Sequence, residues 1–170
     1  IDTEEGRAAL VAAAATPDIL VTNNAGPRPA DFQRTDLADW RAALDSNLLA
    51  PLMLVHAVLP GMRERRFGRI INITSAMVKS PNPMMTLSIG ARTGLTGVMK
   101  ALSKQVVVDN VTINNLLPER FDTDRQRYMA ELAMQFGGIT WDEARAQQVA
   151  TIAAGRLGRP NELGDLCAYL

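Results

Sequence analysis

The chain has 170 residues, 47% of them hydrophobic, enough to bury one core of substantial size. Lys and Arg total 18, as do Asp and Glu, so the net charge is zero and the basic footprint of a nucleic-acid binder is absent. Cys167 is the single cysteine, which excludes an internal disulfide framework and points to a reducing compartment. Its place in the apolar stretch 166–170 marks it as a small buried hydrophobe. The most apolar run, Leu48 to Met62, carries Pro51, His56 and Pro60 and reads as too short to span a bilayer. The first residues do not form a signal peptide, and a soluble cytoplasmic protein with no membrane partner is expected.

In chain order the pattern alternates helix and strand. Residues Glu4 to Ala15 are alanine-rich and helical by propensity, and Pro17 ends them. Asp18 and the apolar ILVT that follows fit a strand buried on both faces. The strand stops at the turn-forming cluster Asn23, Asn24, Ala25, Gly26. Leu37, Trp40, Ala43 and Leu44 recur at helical spacing, and Leu48 to Met62 continues as helix with apolar residues around nearly the whole cylinder. Gly68 opens a second strand, GRIINIT, which leads into Thr74 and Ser75. A long helix is predicted over Leu87 to Val107, then a third strand, VTINNLL, from Val111, closed by Pro118. Strands this far apart cannot form hairpins, so a parallel sheet flanked by helices in a single α/β domain is expected.

After the third strand, Tyr128, Met129, Leu132 and Phe136 form one helical stripe, which Gly137 and Gly138 break. Thr140 and Glu143 have the spacing of a capping box, and Trp141, Ala144, Val149 and Ile152 continue a second stripe. Two readings stand: helices that merely cover the core, or a substrate lid over residues 120–153. Insertions after a strand's C-terminal end lie where open α/β sheets bind ligands.

Five blocks in order, NNAG (Asn23 to Gly26), DSN (Asp45 to Asn47), GRIINITS (Gly68 to Ser75), VTINNLLP (Val111 to Pro118) and GRLGRPNEL (Gly155 to Leu163), resemble the short-chain dehydrogenase/reductase family. Within it the chain is most similar to the 3-oxoacyl-carrier-protein reductase-like branch. The resemblance covers essentially all 170 residues. It implies a Rossmann-like doubly wound parallel sheet, from which this chain lacks the first βαβ unit and the last strand. The family's glycine-rich pyrophosphate turn would lie ahead of Ile1. That turn and its surroundings read NAD against NADP, so the resemblance implies NAD or NADP without choosing.

Cofactor contacts implied by the family fall on Asn24, Ala25 and Gly26, whose small side chains permit close backbone approach, and on Pro118 and Thr123 of a PGxxxT-like loop. The glycine of that loop is here Glu119, which either faces solvent or places a carboxylate near phosphate. The family's catalytic set of Asn, Ser, Tyr and Lys maps onto Asn47, Ser75, Ser88 and Arg92, because the stretch RTGLTGVMKALS fixes the register. The YxxxK signature is therefore SxxxR. No metal site is expected.

This exchange bears on the chemistry. Hydride transfer to a carbonyl builds negative charge on oxygen, and an acid must supply a proton. A tyrosine with its pKa lowered by an adjacent ammonium suits that task; a serine is a far weaker acid, and arginine does not tune downward. Ser75 and Ser88 can still offer a two-donor oxyanion site, with Arg92 a charge-assisted donor. Alternative proton donors are Lys79, which is solvated unless burial lowers its pKa, and Tyr128, an acid only if it turns inward. His56 reads as an interface or core residue, and Met84 and Met85 as pocket lining or ordinary core.

The leading expectation is an NAD(P)-dependent oxidoreductase acting on a small-molecule carbonyl or alcohol by hydride transfer. The alternative is a catalytically impaired nucleotide-binding or scaffold subunit of a short-chain dehydrogenase oligomer. In the family two helices matching 48–62 and 87–107 form a four-helix interface. A homodimer or homotetramer is therefore expected, with His56 near the contact and the small-residue stripe Gly94, Gly97, Ala101 on the second helix.

Overall fold

A computed structural model describes residues 1–14 and 16–170. The elements in order are α1 (Glu4–Ala13), β1 (Ile19–Thr22), α2 (Leu37–Leu44), α3 (Ala50–Glu64), β2 (Gly68–Ile73), α4 (Thr86–Val106), β3 (Val111–Leu116), α5 (Asp124–Gly137), α6 (Trp141–Val149) and α7 (Pro160–Tyr169). These residues form two compact units, one of Ile1–Leu117 with Leu170 and one of Pro118–Tyr169.

In the first unit the three strands make a parallel sheet in the order β1-β2-β3. The register aligns Leu20 with Ile70 and Ile113, and two residues later Thr22 with Asn72 and Asn115. Because side chains alternate along a strand, both rows face the same way. The first row enters the core with Val55, Val58 and Met62 of α3, Leu95 and Met99 of α4, and Val111. Burying each such side chain contributes about 1.5–3 kcal/mol. The second row is polar and forms a ladder across the sheet: Thr22 Oγ1 donates to Asn72 Oδ1 at 2.7 Å, and Asn72 Nδ2 donates to Asn115 Oδ1 at 3.1 Å. At 0% exposure, Asn72 relies on these bonds for its side-chain partners.

Local chemistry accounts for the helix starts. Thr3 caps α1 by accepting from Gly6 N at 3.1 Å, and Asp36 and Asp39 form a reciprocal capping box at α2. Close packing requires glycine at position 68, where a Cβ would lie 2.6 Å from Met62 Sδ. Gly90 likewise lets the Trp40 ring pack on α4, since a Cβ there would come within 2.9 Å of Cζ3.

Several expectations need correcting. The first strand is not buried on both faces: it is an edge strand of the described sheet, and its outward residues Ile19 and Val21 are 62% and 46% exposed. The first helix ends at Ala13, before the predicted Ala15, which lies outside the described residues. The predicted helix over Leu48 to Met62 is part of a continuous 28-residue helical run, Leu37–Glu64, long enough by itself to cross a membrane. Its inner side, with Ala50, Leu54, Val55, Val58 and Met62, is instead committed to the core of the sheet. The run is continuous because a π-helical turn, Asp45–Leu49, joins α2 to α3 and absorbs the slip in apolar spacing. Cys167 is only partly buried: it lies on α7, a helix with no fully buried residue.

In the second unit, α5 ends at Gly138, whose left-handed backbone (φ 63°) suits glycine. The expected capping box at Thr140 and Glu143 opens α6. The loop after β3 pairs with the loop before α7: Asp122 N donates to Gly158 O at 2.7 Å and Gly158 N to Arg120 O at 3.0 Å. Glycine at 158 is enforced by the Phe121 ring, which a Cβ would approach to 2.6 Å. Glu162 receives the Arg156 fork at 2.7 and 3.0 Å and also accepts from Arg159 N, which holds its carboxyl at a pKa of about 2.

Candidate functional site

The carboxyl ends of parallel strands carry carbonyls and turns that the sheet no longer pairs, and the expected site residues of the first unit gather there. After β1, Asn24 folds onto its own backbone, its Oδ1 accepting from Ala25 N at 2.8 Å. Its Nδ2 donates to Ser46 O at 3.0 Å and to Asp2 Oδ1 at 2.6 Å. The NNAG turn is thus fixed from both sides while Ala25 stays exposed.

Asn47 reaches the same turn from the π-helical segment. It is 3% exposed, and its Nδ2 donates to Ala25 O at 3.2 Å and to Ser46 Oγ at 2.7 Å. A π turn rotates one residue out of the helical series, which here aims Asn47 inward. Ser46 bridges Asn24 and Asn47, a role that sequence reasoning misses. The available signal is its place within DSN, where a helical serine returns its hydroxyl to the i−4 carbonyl, as Ser46 Oγ does to Ala42 O at 2.8 Å.

At the end of β2, Thr74 is tied to β3 through its N–H (2.8 Å) and Oγ1 (3.0 Å), both donating to Leu116 O. Ser75 follows in extended conformation and caps a short 3₁₀ turn, its Oγ accepting from Met77 N at 3.2 Å. With a lone pair held by the backbone, the hydroxyl proton is directed elsewhere and can be donated to a ligand.

Ser88 and Arg92 sit one turn apart on the inward side of α4, at 4% and 9% exposure. Arg92 Nη1 donates to Ile73 O at 2.9 Å and to Thr74 O, and Nη2 donates to Asn24 O at 3.3 Å. The guanidinium is therefore brought to the residue preceding Ser75 and to the NNAG turn together. The loops around the site are also paired, Ala30 N donating to Met84 O at 2.9 Å.

Of the remaining expected residues, Pro118 and Thr123 belong to the second unit, where Thr123 is the N-cap residue of α5. Glu119 and Lys79 face solvent, Tyr128 is 57% exposed, and His56 lies on the exposed side of α3. Met84 is 48% exposed, which removes it from the ordinary core. Among the described residues no group of three or more His, Cys, Asp or Glu side chains is gathered as metal ligands would be.

The short chain dehydrogenase family model matches residues 2–132, most of the chain. The chain belongs to the short-chain dehydrogenase family. Among curated members of that family it is 31% identical over 153 residues to the acetoacetyl-CoA reductase of Cupriavidus necator, covering 90% of this chain and 58% of that protein. It is 33% identical to the 3-oxoacyl-[acyl-carrier-protein] reductase FabG of Haemophilus influenzae, covering 90% and 59%. The chain thus spans less than two thirds of the length of these curated relatives. Among solved structures it resembles YwfH, an NADPH-dependent reductase involved in bacilysin biosynthesis, at a TM-score of 0.89 and 26% identity, over 99% of this chain and 66% of that one. An actinorhodin polyketide ketoreductase solved with NADPH gives 0.86 and 26%, over 96% and 64%. The expected Rossmann-like α/β class and the reductase-like branch of the family are both borne out.

Proposed function

We propose that the full-length protein is an NAD(P)-dependent oxidoreductase, soluble and cytoplasmic, that interconverts a small-molecule carbonyl and its alcohol. The carrying observation is Ser75, whose hydroxyl oxygen is held by Met77 N so that its proton is free to meet a carbonyl oxygen. Reductase relatives and NADPH-dependent structural neighbours support the same reading.

The turn at Asn24, Ala25 and Gly26 fits the edge of a dinucleotide: its backbone is fixed by Asn24 Oδ1 and Asn47 Nδ2, and no side chain larger than a methyl stands at Ala25. Pro118 and Thr123 are assigned to the same ligand by family resemblance. Bound there, the dinucleotide supplies the hydride. Ser75 and Ser88 then serve as hydrogen-bond donors to the carbonyl oxygen, and the fixed charge of Arg92 lies behind them. Asn47 holds the turn from the side of the π segment. Residues 120–153 act as the substrate lid, and the outer faces of α3 and α4, with Met53, His56 and Val98 exposed, pair copies into a homodimer or homotetramer.

A second reading, a nucleotide-binding subunit with little turnover, is favoured by one observation. Both members of the Tyr/Lys pair are replaced, so the cluster contains no group whose ordinary pKa suits proton donation near neutrality. The two readings separate in one experiment on the full-length protein. NADH and NADPH binding is followed by calorimetry, and oxidation by absorbance with a panel of 3-oxoacyl thioesters and simple ketones. Reductase function predicts turnover that Ser75→Ala lowers about a hundredfold. Binding without turnover supports the second reading, and no binding of either dinucleotide rejects both.

A further inference from the structure

We infer that Arg92 is a positioning residue that clamps the ends of β1 and β2 together, and that it does not take the ribose-binding part of the lysine it replaces. This rests on the reading of the site as a dinucleotide site, and adds what the exchanged residue does there. Nη1 donates to the carbonyl of Ile73, the last residue of β2, and to that of Thr74 just beyond it, while Nη2 donates to the carbonyl of Asn24 beyond β1. The guanidinium thus spans two strand ends that no sheet bond joins at this level, since the β1–β2 pairing ends at Thr22 and Asn72.

Guanidinium chemistry suits this task and ammonium chemistry does not. A planar fork presents donors in fixed directions about 2 Å apart, enough to meet carbonyls of separate strands, whereas a lysine is a single point donor on a shorter head. Arg92 is 9% exposed, so its head is largely shielded from water and its bonds to carbonyl dipoles are correspondingly strong. The clamp fixes what the site needs in place: Asn24, whose backbone it holds, and Ser75, the residue next to Thr74. Thr96 adds a small supporting feature, its Oγ1 donating to Arg92 O at 2.8 Å one turn along α4.

The test uses the full-length protein with Arg92→Lys and Arg92→Ala, read by amide hydrogen exchange in the absence of dinucleotide and by NADPH titration. A clamp predicts that both variants lose protection, at least tenfold, in the segment 22–26 and in the segment 73–77 together. It also predicts that NADPH affinity falls in both. Millimolar guanidinium should restore protection in Arg92→Ala, and methylammonium at the same concentration should not, a difference that a loss of packing alone would not produce. A ribose-binding role predicts the reverse for Arg92→Lys: exchange as in the wild type and NADPH affinity kept or improved. That result overturns the inference, as does loss of protection in only one of the two segments. Should Arg92→Ala not fold, Arg92→Lys, which keeps the stem and the charge, decides alone. Failure of the wild-type protein to bind NADPH would instead refute the dinucleotide reading, while the exchange data still report on the clamp.

Discussion

Replacing Asn72 by alanine tests the polar ladder that sets the level of the strand ends. Asn72 is the middle rung, fully buried, joined to Thr22 at 2.7 Å and to Asn115 at 3.1 Å. Its removal deletes two hydrogen bonds, each contributing about 1 kcal/mol, and leaves the Thr22 hydroxyl, only 3% exposed, without this acceptor. Stranding a buried hydroxyl adds roughly 1–3 kcal/mol, whereas Asn115 is half-buried and can turn to water. The expected destabilisation is therefore about 3–5 kcal/mol, measured by urea unfolding of the full-length protein. Thr22→Val removes the same bond from the other side. In its background Asn72→Ala should cost at least about 1 kcal/mol less, because the stranded group is gone. A cost below about 0.5 kcal/mol for Asn72→Ala, or strict additivity of the two changes, would refute the argument.

Three further outcomes are expected. Gly158→Ala should cost about 1–3 kcal/mol by driving a Cβ into the Phe121 ring, and most of that cost should vanish in a Phe121→Ala background, both read by thermal unfolding. The Arg156 fork and Arg159 N hold the Glu162 carboxyl down from 4.5 to about 2, so its stabilising effect is complete above pH 4.5 and is lost as pH falls through about 2. The melting-temperature gap between wild type and Glu162→Gln should accordingly be widest above pH 4.5 and close toward pH 2; a pH-independent gap would contradict this. Met53→Glu places a charge on the exposed side of α3 and should shift sedimentation toward monomer at micromolar concentration, with unchanged mass refuting the proposed interface.

Much of the first unit is legible because its signals are local. Three apolar runs bounded by turn residues give three strands, and strand spacing excludes hairpins, hence a parallel sheet. Periodicity cannot show that Ile19 and Val21 are exposed, since burial of alternate residues depends on what lies beyond the sheet edge. Nor can it show the π turn, where 3.6-residue spacing is interrupted to turn Asn47 inward. The helix Pro160–Tyr169 escapes for another reason: Leu163, Leu166 and Cys167 stand at helical spacing, but over ten residues interrupted by Gly164 the stripe is short. Ser75, Ser88 and Arg92 are placed by family register, which fixes position on a strand or helix but not the hydrogen bonds formed. That Arg92 Nη1 and Nη2 donate to carbonyls of Ile73, Thr74 and Asn24 is a fact of the fold alone.

That distinction changes what restoring the family's residues would do. Were Arg92 simply a weaker form of the usual lysine, Ser88→Tyr with Arg92→Lys would bring back a phenol and the ammonium that lowers its pKa. In this fold the same double change removes the fork between two strand ends, and the introduced phenol ring must enter the place of Ser88, which is 4% exposed. Overpacking there costs about 1–3 kcal/mol, on top of the lost clamp. The double variant should therefore melt below wild type and gain no carbonyl reduction, whereas Ser88→Tyr alone keeps the clamp and adds a phenol beside a fixed positive charge. Activity greater in the double than in the single variant, at wild-type stability, would show that Arg92 is dispensable as a clamp.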